Sequence, residues 1–212
     1  NSENVKFSGN TGPVATTLSL EGPLFNKRSS FFTSLRRSHL KWLLKKDNPS
    51  IDKLHFSDFN FKYNFKINSN NHLYLSFYYG ADMFSNEENR LRSSGINWSN
   101  SAGSFRWNHI FGDRLFLNSS IVLSDYDYNL HTSYELNNRW NSGIGLSSLK
   151  NDFSFYIKPE ITMDFGWHLS AHKYDPGHYL SGDKPDPLIP SVPQKNTIEN
   201  YLYLSVKHEI TS

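Results

Sequence analysis

The clearest regularity in the chain is an alternation of period two. From Phe59 to Ile67 every odd position is aromatic or aliphatic, and the even ones are Asn60, Lys62, Asn64 and Lys66. Successive side chains of a strand point to opposite faces, so this segment carries one apolar face and one polar face. The pattern returns in Leu73, Leu75, Phe77, Tyr79, Ala81 and Met83, in Ile161 to Leu169, and in Leu202, Leu204 and Val206. It predicts an all-β chain of about ten strands. Their expected ranges are 4–11, 13–21, 30–42, 55–67, 72–84, 96–111, 114–128, 140–157, 161–173 and 197–209. Short connections at 25–28, 68–71, 112–113 and 158–160 alternate with long ones at 43–54, 85–95, 129–139 and 174–196. The last of these holds Pro176, Pro185, Pro187, Pro190 and Pro193. Proline has no N–H for a ladder, so this stretch is expected to be a semi-rigid loop.

Strand length then separates two architectures. Most of these segments exceed the ~9–11 residues that cross a bilayer, and far exceed the ~5–6 typical of soluble strands. Short turns on one rim and long loops on the other are the pattern of an outer-membrane barrel. Aromatics near strand ends (Phe56, Tyr79, Phe84, Trp98, Trp107, Phe111, Trp140, Phe155 and Trp167) are expected to form its interfacial girdles. The expected fold is an antiparallel transmembrane β-barrel, with residues 1–212 forming part of one domain. A soluble β-sandwich, such as a glycan-binding module, also alternates and is the competing reading.

Composition sharpens this. Hydrophobic residues make up only 37% of the chain, yet 16% are aromatic, which argues against disorder. The 30 Ser and 23 Asn favour turns and strands over helices. The net charge of +2 is too even to call for nucleic acid. The absence of cysteine removes thiolate metal sites, disulfides and cysteine nucleophiles together. No apolar run is long enough for a transmembrane helix, a result that leaves barrels untouched.

Candidate chemistry is sparse. His168 and His172 share a strand face about 13 Å apart, too far to hold one ion, and His178 adds no zinc motif. Asp125 and Asp127, with His131 and Glu135 nearby, raise an acid–base site in a complete ten-stranded outer-membrane enzyme. No nucleophile elbow or paired-carboxylate motif accompanies them, so no catalytic residue, metal or cofactor is expected. Asn97-Trp98-Ser99 and Asn118-Ser119-Ser120 match the glycosylation triplet, a common chance match in so Asn- and Ser-rich a chain. Parity puts Arg36, Asn60, Lys62, Asn64, Lys66, Arg106 and Asn108 opposite the apolar face, where they would face a lumen or a plug. Tyr126, Tyr128, Trp140, His168 and His172 are expected to line an extracellular ligand vestibule.

Several ordered pieces add a resemblance. Leu18-Ser19-Leu20-Glu21-Gly22-Pro23-Leu24 precedes Ser29-Ser30-Phe31-Phe32 and Arg36-Arg37-Ser38. Then follow Leu73-Tyr74-Leu75-Ser76, Phe105-Arg106-Trp107-Asn108-His109-Ile110-Phe111, Ser124-Asp125-Tyr126-Asp127-Tyr128 and Leu149-Lys150-Asn151-Asp152-Phe153. In this order they resemble the barrel of TonB-dependent outer-membrane receptors of the Bacteroidota type. The resemblance implies about ten strands of a barrel of about 22, closed around an N-terminal plug. It places the Leu-Glu-Gly-Pro run at a turn. It also implies uptake of a scarce nutrient (an iron chelate, a glycan or a peptide) across the outer membrane of a Gram-negative bacterium. The implied partners are outer-membrane lipid, the plug and remaining strands, TonB through that plug, and a surface lipoprotein. No plug, no TonB-box segment and no terminal aromatic strand is legible in these residues.

Overall fold

The computed structural model describes residues 4–25, 28–89, 92–134, 137–182, 184–185, 189 and 192–210. They form one antiparallel sheet. Its strands are β1 (Lys6–Thr11), β2 (Ala15–Leu24), β3 (Ser29–Ser38), β4 (Ile51–Lys66), β5 (Asn71–Asn89), β6 (Arg92–Ile110), β7 (Leu115–Ser133), β8 (Asn137–Lys158), β9 (Ile161–Ser181), β10 (Lys184–Pro185) and β11 (Lys195–His208). Each strand pairs with the next as far as β10, and β11 lies along the first two-thirds of β9. Among the described residues β1 pairs only with β2, and β11 only with β9. Among the described residues no helix is long and apolar enough to cross a membrane, which says nothing of a β-barrel.

The register collects the alternating positions into two continuous faces. One row runs Leu75, Phe105, Ile121, Leu149, Leu169 across β5 to β9; the next runs Leu73, Trp107, Ser119, Asn151, Trp167 and Leu202. Rows above and below add Phe77, Leu123, Ala171 and Ile198, then Leu117, Phe153, Phe165 and Leu204, then Phe155, Met163 and Val206. Five such rows occupy about nine residues of strand, close to the ~9–11 that a tilted strand needs to cross hydrocarbon. Two pairs of polar groups inside this band satisfy each other. The Ser119 hydroxyl donates to Asn151 Oδ1 at 2.8 Å, and Trp167 Nε1 donates to Asn200 Oδ1 at 2.6 Å.

A conventional core is missing. Leu117, at 8% exposure, is the one buried hydrophobic side chain among the described residues, while Phe7, Leu123, Ile198, Leu202 and Leu204 are all more than half exposed.

The structure corrects several sequence expectations, and the corrections share a cause. The long connections at 85–95 and 129–139 are largely strand, since β5 continues to Asn89, β6 starts at Arg92, β7 continues to Ser133 and β8 starts at Asn137. Strands of 19 to 22 residues therefore overrun the apolar band on that rim. There the face that is apolar lower down turns polar (Asn97, Asp125, Asp127, Asn129) while rings such as Phe84, Trp98 and Trp140 stand on the other, so the ladder continues after the lower pattern has stopped. Nor is 174–196 simply a loop. β9 passes through Pro176 by a bulge: Asn141 pairs with His178 and Gly143 with Asp175, with Gly177 at φ +89°. The extra residue moves Pro176 out of the ladder. Pro185 lies in β10; Pro187 and Pro190 lie outside the described residues.

Two further corrections lie nearer the N-terminus. The strand expected over 30–42 ends at Ser38 and gives way to helix α1 (Leu40–Leu44), because Leu40-Lys41-Trp42-Leu43-Leu44 breaks the alternation with good helix formers. The Leu-Glu-Gly-Pro run is strand rather than turn, with Leu24 pairing Ser29. β1 ends its pairing at Lys6↔Glu21, so nothing on that side calls for the N–H that Pro23 lacks.

Candidate functional site

The polar face carries the candidate residues, arranged as cross-strand clusters. Arg36 on β3 lies opposite Asp58 on β4, and its Nε donates to Asp58 Oδ2 at 2.5 Å. Asp58 also accepts from the Tyr78 hydroxyl at 2.9 Å. The guanidinium lies 5.0 Å from the centre of the Phe56 ring, so its charge is matched on two sides. Gly80 makes this possible, since a Cβ there would strike the Tyr78 ring on its way to Asp58. An aromatic laid across a strand glycine fills the gap the glycine leaves.

Along the edge of the sheet a second cluster joins β8, β9 and β11. His168 Nε2 meets Asp152 Oδ1 at 2.5 Å, and its Nδ1 meets the Tyr201 hydroxyl. Tyr203, lying over Gly166, donates to the same Asp152 oxygen at 2.8 Å. His172 Nε2 stops 3.6 Å from Glu199, beyond hydrogen-bond reach, and stacks on Tyr174. Arg106 lies 4.3 Å over the Tyr74 ring. Asn60, Lys62, Asn64 and Lys66 line the same face; Asn64 donates to Ser30 Oγ at 3.3 Å, and the buried Asn108 Oδ1 has no partner.

The expected vestibule is only partly one site. Tyr126, Tyr128 and Trp140 share the polar face with His168 and His172, but higher on β7 and β8. Asp125 and Asp127 point the other way. They are exposed beyond the apolar band on the same parity as the apolar face, and with Gly143, Gly145, Lys173, Asp175 and His178 they line a cavity of about 280 Å³. His131 is on that same side, and Glu135 lies outside the described residues. Loss of hydration, and then the neighbouring Asp125 carboxylate, push the Asp127 carboxyl above its ordinary range. The aromatics expected in girdles divide likewise: Tyr79, Trp107, Phe155 and Trp167 are on the apolar face, whereas Phe56, Phe84, Trp98 and Trp140 are on the polar one.

Sequence reasoning missed the partners Asp58, Tyr78, Asp152, Glu199, Tyr201 and Tyr203. Parity assigns each to a face, but only the register brings Asp152 of β8 and Tyr203 of β11 together on either side of β9. Among the described residues no group of three or more His, Asp or Glu side chains is placed to hold a metal ion. Neither family models, nor curated proteins, nor solved structures include a match to this chain.

Proposed function

We propose that this sheet is part of the wall of a transmembrane β-barrel in a bacterial outer membrane, and that the barrel is a TonB-dependent receptor taking up a scarce nutrient. The observation that carries the membrane reading is the five-row apolar face on strands with almost no core. The sheet does not close over that face among the described residues, and hydrocarbon is a solvent in which it needs no cover. The opposite face at the same height holds Lys62, Lys66, Arg106, Lys150 and Asp152, each of which would cost ~2–4 kcal/mol or less against lipid and is stable in a water-filled lumen or against a plug. A sandwich would need a second sheet over the apolar face, and the described residues form one sheet.

The receptor reading rests on the ordered resemblance of the chain to that family. In it, force transmitted by TonB displaces a plug from the lumen, ligand enters from the long-strand rim, and a surface lipoprotein assists capture. The unpaired edges of β1 and β11 pair with further strands, because open ladders in hydrocarbon cost several kcal/mol for each unsatisfied group. No chemistry on substrate is assigned.

The test is fractionation of cells producing the full-length protein, followed by uptake measurements with and without TonB. Recovery in the outer membrane after a carbonate wash, with TonB-dependent uptake, is the expected result. Release into the soluble fraction overturns the membrane reading; membrane residence with TonB-independent activity overturns the receptor reading.

A further inference from the structure

Resting on the membrane part of that reading, we propose that the apolar face around β7, β8 and β9 seats one phospholipid whose head carries a primary ammonium. Two adjoining cavities carry the argument. The lower, of about 680 Å³, lies along Phe77, Gly103, Leu123, Ser147, Ala171 and Ile198, the top row of the apolar band. Gly103, Ser147 and Ala171 are small, while Leu123 and Ile198 are 56% and 74% exposed, so the row is a furrow between ridges rather than a flat wall. Its apolar lining, at the depth of hydrocarbon, suits an alkyl chain.

The upper cavity is the one of about 280 Å³ that Asp127 and His178 help to line, and it shares Asp125, Gly145 and Lys173 with the furrow. These three stand one row higher on the same face, about 7 Å along the strands. Gly145 is the saddle between the cavities. A Cβ there would lie 3.5 Å from Asp125 Oδ2 and 3.6 Å from Lys173 Cβ, so the two charged residues flank the passage. An occupant of both cavities must be alkyl below and polar above, with the change at the edge of the apolar band. A membrane lipid has that shape.

Charge selects the head. Asp125, Asp127 and Asp175 line the upper cavity against the ammonium of Lys173, which has no ion pair among the described residues. Asp125 and Asp127 crowd each other, which adds to the upward push on the Asp127 carboxyl. Asn141 Oδ1, on the wall of the same cavity, is a buried acceptor with no partner. The cavity thus holds acceptors in excess, and its complement is a donor with positive charge. A bare divalent ion does not fit, because among the described residues no three His, Asp or Glu side chains are placed to hold a metal. An ammonium has three N–H donors and reaches acceptors that are spread apart, leaving the neighbouring phosphate to Lys173.

The experiment exposes the detergent-purified full-length protein to an equimolar mixture of dioleoyl phosphatidylethanolamine, phosphatidylcholine and phosphatidylglycerol, and counts bound lipids by native mass spectrometry. Phosphatidylethanolamine is expected to be retained about tenfold over the other two, since the choline head has no N–H to donate and the glycerol head brings no positive charge. Asp127→Asn should cut its retention about threefold or more. Gly103→Leu tests the furrow separately and keeps the fold, because a Cβ there meets nothing nearer than Ser76 O at 4.0 Å. By filling the furrow it should lower phosphatidylethanolamine retention about fivefold or more. Equal retention of the lipids, preference for the choline or glycerol head, or phosphatidylethanolamine retention that survives either substitution overturns the proposal. Recovery of the protein in the outer membrane without this selectivity overturns this inference alone and leaves the membrane reading standing.

Discussion

At Gly177 a single missing Cβ holds the upper end of β9 in place. The residue has φ +89°, and a side chain there would run into Asn141 O and Trp140 Nε1. Gly177→Ala is expected to cost about 1–3 kcal/mol and to free the Tyr179–Trp140 pairing beyond the bulge, read as a lower denaturant midpoint. Asp127 offers a pH test on the other face. Its carboxyl is raised, so the folded state holds the proton more tightly than the unfolded chain does. Its ionisation therefore weakens the fold at neutral pH, and stability recovers as pH falls through a window just above the ordinary aspartate range. Asp127→Asn should flatten that part of the melting-temperature profile and leave the protein no less stable at about pH 7. Gly177 does not announce itself in the sequence, and Asp127, although an acidic candidate there, does not disclose its face. Gly177 sits in a proline-rich stretch that reads as loop, and the alternation that identifies faces stops before Asp127.

On the scale of the strand, parity is the variable that matters. Phe61 and Lys62 are neighbours on β4, yet Phe61 stands opposite Thr33 and Phe77 on the apolar face, and Lys62 opposite Phe32 and Ser76 on the polar one. Phe61→Arg is expected to destabilise the assembled protein by ~2–4 kcal/mol, with a matching loss of heat-modifiable mobility in gels. Lys62→Glu should change stability by about 0.5 kcal/mol or less. Equal tolerance at the two positions would refute the assigned faces. Strands β4, β5 and β9 were legible because one of their faces is greasy and the other wet. The upper halves of β7 and β8 were not, because Asp125, Asp127 and Asn129 make polar the face that is apolar lower down while Tyr126, Tyr128 and Trp140 stand on the other, and backbone pairing does not depend on which face is greasy.

For the whole molecule the decisive feature is that the sheet does not close on itself among the described residues. The absence of native cysteine makes this testable with engineered pairs. Ser76 and Ser104 are directly opposed, their hydroxyls 2.6 Å apart, so Ser76→Cys with Ser104→Cys should cross-link on mild oxidation. Ser8→Cys on β1 with Ser205→Cys on β11 should not. A cross-link in the second pair, seen as a shift in gel mobility, would make these strands a complete small barrel and remove the need for further strands.

The amino-acid sequence by itself determined the all-β class, the period-two faces and the polarity of each strand near the apolar band. These are local properties, set by which side of the backbone each residue occupies. Tertiary structure alone decided how far the strands run, how the polar positions combine and where the bulge at Pro176–Gly177 turns β9. Asp58 becomes the partner of Arg36, and Asp152 of His168, only once antiparallel register has aligned strands distant in sequence. The vestibule shows the same limit: Asp127 and Tyr128 adjoin in the chain but look out from opposite faces of the sheet. Adjacency along a strand separates side chains, and register across strands is what brings them together.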